Sequence, residues 1–115
     1  MSVAVYGIRN CDTVKKARAW LDANGISYDF HDYKVEGADP ARLARWAEIV
    51  GWERLLNRAG TTFRKLDDAD KADIDTAKAL MLMAEHNSLI KRPVVEAGGN
   101  VLVGFRPDDW AKALL

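Results

Sequence analysis

The opening thirty residues constrain the fold more than any other part of the chain. Residues 3–6 form a short apolar run closed by Gly7, the pattern of a buried strand. Residues 8–13 are a polar turn. Val14, Ala17 and Leu21 then recur at helical spacing on one face, with Asp12 or Thr13 available to cap the helix. Asn24 and Gly25 form a helix stop signal. Ile26, Tyr28 and Phe30 alternate with Ser27 and Asp29, which predicts a half-buried strand over 26–30. Strand, helix and strand joined by connections this short make a βαβ unit, with parallel strands and a right-handed crossover.

The middle of the chain changes character. A loop over 35–40 leads into a helix with Pro40 in its first turn and Leu43, Trp46, Ala47 and Val50 on its apolar face. Gly51 ends that helix, and a short amphipathic piece covers 52–56. Residues 61–66 fit an extended segment or a loop equally well. Residues 70–85 read as one long helix with Ile74, Ala77, Met81 and Ala84 inward. The end returns to strands. Pro93 opens a strand over 94–96, residues 98–100 turn, and 101–103 pair back as a hairpin. Pro107, Asp108 and Asp109 then open a last helix, with Trp110 and Leu114 inward.

The order is therefore βαβ, a helical insert at about 36–88, then ββα. It predicts an α/β protein with a thioredoxin-like fold: one domain over 1–115 built on a four-stranded mixed sheet. A chain of 115 residues suffices for one core. Seventeen basic residues balance seventeen acidic ones, so no global field points to nucleic acid or an anionic membrane. No apolar run is long enough to span a bilayer, and the first residues lack the pattern of a signal peptide. The expected protein is a cytoplasmic monomer. A single cysteine excludes an internal disulfide and a cysteine-rich zinc site. Any thiol redox cycle must then take its second sulfur from another molecule.

That cysteine, Cys11, lies between a strand end and a helix N-terminus, where unpaired N–H groups and the helix dipole favour a thiolate. Arg9 would add a positive charge, and Asp12 would oppose it. A buried structural cysteine is the bland alternative, but a turn flanked by Arg, Asn, Asp and Thr is a poor burial site. Arg58, Arg92 and Arg106 are candidate anion ligands, because a guanidinium presents a rigid fork of donors. Each taken singly is an ordinary surface charge. His31 and His86 read as structural, one on the polar phase of a strand and the other at a helix end.

Three segments carry a family resemblance. They are residues 6–13 (Tyr6 to Thr13, containing Cys11), residues 89–95 (Leu89 to Val95, containing Arg92 and Pro93) and residues 103–105. Together they resemble the arsenate reductase (ArsC) family, and residues 30–33 and 60–66 resemble its YffB-like branch. Spx-type regulators share the same fold. The resemblance implies that Cys11 is the nucleophile, with Asn10, Arg92 and Arg106 binding substrate. The third arginine of the reductases falls at Asn57, with Arg58 one position on, and Ile8 lies in the stretch just before the cysteine loop where the reductases carry a histidine. Weak or absent arsenate reduction is therefore expected. The implied activity is that of a monothiol reductase attacking an oxyanion or a mixed disulfide. Glutathione would be its co-substrate and glutaredoxin a candidate partner, with no bound cofactor and no metal. The resemblance also implies a cis Arg92–Pro93 bond, with Pro93 shaping the site opposite Cys11. The alternative is a non-catalytic Spx-like regulator or protein-binding module. The oxidant-sensing members commonly use a Cys-x-x-Cys pair, and here Val14 stands at the second position.

Overall fold

The computed structural model describes residues 2–115, which form two compact units. The first contains the residues up to Glu36 together with Arg92–Leu115; the second is Gly37–Lys91. No helix among the described residues is long and apolar enough to cross a membrane.

The first unit is built on a four-stranded sheet in the order β2-β1-β3-β4. Strand β1 (Val3–Gly7) pairs in parallel with β2 (Asp29–Asp32) and antiparallel with β3 (Val94–Ala97). Strand β4 (Asn100–Val103) completes the hairpin on β3. Its two-residue turn has Gly98 at φ 55 and Gly99 at φ 86, a pair of positive values that only glycine adopts at low cost. The central strands β1 and β3 are almost wholly buried and correspondingly apolar.

Helix α1 (Asp12–Ala23) buries Val14, Ala17 and Leu21, the face its periodicity predicts. The core joins Ala17 and Leu21 to Val3, Val5, Val95, Ala97 and Trp110. Trp110 comes from the closing helix, which runs Pro107–Leu114. Its indole N–H donates to the Gly104 carbonyl at 3.1 Å, and Trp20 and Phe105 meet its ring edge-on. Burying a ring of this size is worth several kcal/mol only because the indole N–H keeps a partner.

Three details of this unit differ from the sequence reading. The strand predicted over 26–30 is displaced to Asp29–Asp32, because its ladder with β1 begins at Ala4↔Asp29. Ile26 and Tyr28 still pack on the core, so their alternation reports burial rather than pairing. The helix cap is Cys11 itself, not Asp12 or Thr13. A short helix, α2 (Tyr33–Glu36), also occupies the start of the predicted loop and buries Tyr33.

The second unit is helical. It runs α3 (Pro40–Val50), α4 (Trp52–Leu55), α5 (Thr61–Arg64), α6 (Asp68–Lys71) and α7 (Thr76–Glu85), making the closing Pro107–Leu114 helix α8. Asp39 caps α3 by accepting from the Ala41 N–H at 3.1 Å, and Pro40 takes the first turn. The single helix predicted over 70–85 is two helices. Asp73 adopts a left-handed φ of 51, and Asp75 starts α7 by accepting from the Lys78 N–H at 2.9 Å. The buried face of α7 is Ala79, Leu82 and Met83, whereas Ala77, Met81 and Ala84 are exposed. With apolar side chains nearly all round this helix, periodicity does not select the inward face.

Gly7 sets the distance between β1 and α1. A methyl group added there would lie 2.8 Å from Val14 Cγ2, and Val14 is fully buried. Gly7→Ala is therefore expected to destabilise by about 1–3 kcal/mol, the usual cost of overpacking a closed site. Urea denaturation measures it, and an unchanged midpoint would show that Val14 yields freely.

Candidate active site

The site is assembled by the carboxyl end of β1 and its neighbours. Beyond Gly7 the chain runs through Ile8, Arg9 and Asn10 to Cys11, which takes extended backbone angles (φ −119, ψ 125). Its carbonyl receives the Lys15 N–H at 2.9 Å, the first hydrogen bond of α1. Cys11 is thus a helix N-cap with a half-buried thiol. Its side chain makes no conventional capping bond. The N–H groups of Val14 and Thr13 act on the sulfur as dipoles.

Sheet order supplies the cation. Because β3 runs antiparallel to β1, its first residue, Val94, pairs with Tyr6 near the end of β1. Arg92, two residues ahead of Val94, is thereby brought to the Cys11 side chain. The Arg92–Pro93 bond is cis, and the Pro93 carbonyl accepts from the Gly104 N–H at 2.8 Å. Desolvation alone pushes the Cys11 thiol up. The Val14 N–H, the hydrogen bond and charge of Arg92, and the Thr13 N–H together outweigh it and hold the thiol below its ordinary range. A lowered value means more thiolate at neutral pH. The iodoacetamide alkylation rate of this thiol should accordingly show a midpoint below about 8.5, the ordinary thiol value. A midpoint at or above that value would contradict the arrangement.

The remaining candidates are placed as follows. Arg9, expected to help the thiol, instead lays its guanidinium 5.6 Å from the Phe30 ring centroid, so the charge that acts on the sulfur is Arg92. Asn10 is exposed in the turn beside Cys11. Arg106 is the residue ahead of α8, with its side chain 74% exposed and Nη1 4.0 Å from Asp109 Oδ2. The structure joins Arg92 to the thiol and leaves Arg106 with Asp109. Within the second unit, Arg58 is exposed and lies 5.6 Å from the Trp52 ring centroid, and the Asn57 side chain accepts from the Ala59 N–H at 3.2 Å. His31 stacks on Tyr6 at 4.8 Å and meets Glu36 Oε1 at 3.0 Å, and His86 ends α7.

Sequence reasoning missed Asp32, which is 7% exposed at the end of β2. The signal was present: Ile26, Tyr28 and Phe30 set an inward phase of two, and Asp32 continues it.

A cysteine at the N-cap of the first helix of a βαβ–ββα sheet, with an arginine acting on its sulfur, defines a thioredoxin-like cysteine protein. The chain belongs to the ArsC family, which it matches over residues 6–113. It is 42% identical over 111 residues to an uncharacterized protein of Haemophilus influenzae, covering 96% of this chain and 97% of that one. A solved YffB protein is 59% identical with a TM-score of 0.97, covering 99% of this chain and all of the other. An ArsC-related protein from Brucella melitensis is 53% identical with a TM-score of 0.78, covering 100% and 97%. The global transcriptional regulator Spx of Streptococcus mutans is 24% identical over 109 residues, 93% of this chain and 79% of its own.

Proposed function

We propose that the chain is a monothiol reductase of the arsenate-reductase type with glutathione as co-substrate. The observation that carries this reading is the pairing of Cys11 with Arg92 at a helix N-terminus, in a chain with one cysteine. A thiolate stabilised in this way is the nucleophile that disulfide exchange needs. Cys11 Sγ attacks the glutathionyl sulfur of a mixed disulfide. The S–S bond breaks, and the substrate sulfur leaves with the electron pair and takes a proton from water. The thiolate of a glutathione molecule then attacks the Cys11 adduct, releasing glutathione disulfide and restoring the Cys11 thiolate. An oxyanion such as arsenate would enter at the same sulfur, forming an S–As bond with loss of hydroxide.

Arg92 and the α1 N-terminus hold the anionic partner in this scheme, with Asn10 beside it and Pro93 shaping the wall. Arg106 would join by exchanging Asp109 for the substrate anion, and Arg58 is the candidate for the third arginine of the reductases. The reaction needs no metal and no bound cofactor. The protein acts as a cytoplasmic monomer in this scheme, and glutaredoxin is a candidate partner in clearing the adduct. The test is intact mass spectrometry: oxidised glutathione should add one glutathione per chain, and reduced glutathione should remove it. No adduct at any redox ratio would reject the reading.

The similarity to Spx favours one second reading, a non-catalytic regulator or protein-binding module. Such a protein needs neither an acidified Cys11 nor a glutathione cycle, so the same two measurements separate the readings.

A further inference from the structure

Asp32 is the buried charged residue that the scheme above leaves without a task. It ends β2, where it pairs with Gly7, the residue from which the Cys11 loop departs. Its two carboxylate oxygens face different parts of the chain. Oδ1 accepts from the Lys34 N–H at 2.8 Å, in the first turn of α2. Oδ2 accepts from the Arg9 N–H at 3.2 Å, two residues ahead of Cys11. A second link runs alongside: His31 stacks on Tyr6 and reaches Glu36 on α2.

We propose that Asp32 is the positioning residue of the Cys11 loop: its carboxylate fastens the Arg9 backbone to the end of β2 and to α2, and so fixes where Cys11 enters α1. A loop of three residues joins Gly7 to Cys11. Arg9 and Asn10 are exposed, and the Arg9 side chain is turned to Phe30. A backbone N–H held by a buried carboxylate is a stiff anchor, because such charge-assisted bonds are about twice as strong as neutral ones. The alignment of the sulfur with the Val14 and Thr13 N–H groups and with Arg92 then depends on it. The proposal concerns loop geometry and rests on the Cys11 site described above, not on glutathione as its co-substrate.

The experiment is the pH profile of Cys11 alkylation in Asp32→Ala and in Asp32→Asn, which keeps the size of the side chain. The two roles open to Asp32 move that profile in opposite directions. As a mere nearby negative charge, its removal would favour the thiolate and lower the midpoint. As the anchor, its removal loosens the sulfur from its partners, raising the midpoint and slowing alkylation at pH 7 by about threefold for each unit of that rise. A raised midpoint in a variant that still unfolds cooperatively supports the proposal; an unchanged or lowered one overturns it. A second measurement on the unaltered protein decides the matter if both variants fail to fold. Amide hydrogen exchange should then find the Arg9 N–H protected well beyond that of Asn10, and equal, fast exchange at both overturns the anchor. Because this readout needs no glutathione, its failure is distinguishable from failure of the reductase reading.

Discussion

Cys11→Ser is expected to abolish glutathione adduct formation completely while leaving the fold intact or slightly more stable. The chemical half of this expectation follows from the nucleophile. Disulfide exchange proceeds through a thiolate, and no second cysteine among the 115 residues can substitute for it. A serine hydroxyl in the same place stays protonated at neutral pH and does not enter disulfide exchange. The structural half follows from the backbone. Cys11 occupies the N-cap of α1 in extended angles without a close capping bond of its own. Serine is among the preferred N-cap residues and can accept from the N–H groups of the first turn, a gain of up to about 1 kcal/mol. Intact mass after incubation with oxidised glutathione reads the first half, and the unfolding midpoint reads the second. Residual adduct in the serine variant would place the chemistry elsewhere. A large fall in stability would mean that the thiol is a packing residue after all.

Much of the fold is legible in the first thirty residues because each signal there agrees with the next. The apolar run before Gly7, the Val14/Ala17/Leu21 stripe and the Asn24–Gly25 stop leave one arrangement, a βαβ unit. The hairpin is equally plain, since Gly98 and Gly99 supply the two positive φ values that a two-residue turn requires. Legibility fails where the physics is degenerate. Residues 79–84 of α7 are all apolar, so a 3.6-residue period fits more than one face, and burial chose Ala79, Leu82 and Met83. The break near Asp73 lies outside that stretch, and Asp75 followed by Thr76 is an ordinary helix start.

The site divides along a different line. Cys11 was found because its placement is local, the join between one strand and the next helix. Its cation was assigned to Arg9 on sequence proximity, but charge acts through space. Arg92 is eighty-one residues away along the chain, yet the antiparallel register of β3 on β1 sets it beside the loop. The family resemblance had named Arg92, and the physical reason is the pairing of Tyr6 with Val94. Asp32 illustrates the reverse case. Its inward phase was readable, but an acidic residue on an apolar phase has no evident partner until β2 and the loop are placed together.

Arg92→Gln is expected to produce the second large effect: a raised thiol midpoint and slower chemistry at Cys11. An opposite charge in contact with an ionisable group favours its charged form. Loss of the guanidinium should therefore return the thiol toward its ordinary value, against the Val14 and Thr13 dipoles that remain. The rate falls by less than the thiolate fraction. A thiolate of higher pKa is a better nucleophile, with a Brønsted slope of about 0.4–0.5, so each unit costs about threefold instead of tenfold. At a pH below both midpoints, alkylation by neutral iodoacetamide should slow by about threefold for each unit that the midpoint rises. Glutathione adduct formation should slow further, because its carboxylates lose a partner as well. Arg92→Lys keeps the charge but not the fork, and should retain most of the midpoint while losing the anion contact. Arg106→Ala is the informative control: with its guanidinium near Asp109, it should leave the alkylation profile unchanged. With one arginine on the thiol and the expected third replaced by Asn57, arsenate turnover in the presence of glutathione and glutaredoxin should be weak or absent. Robust arsenate reduction, lost equally in Arg92→Gln and Arg106→Ala, would overturn this account and show that Arg106 leaves Asp109 to close on the oxyanion.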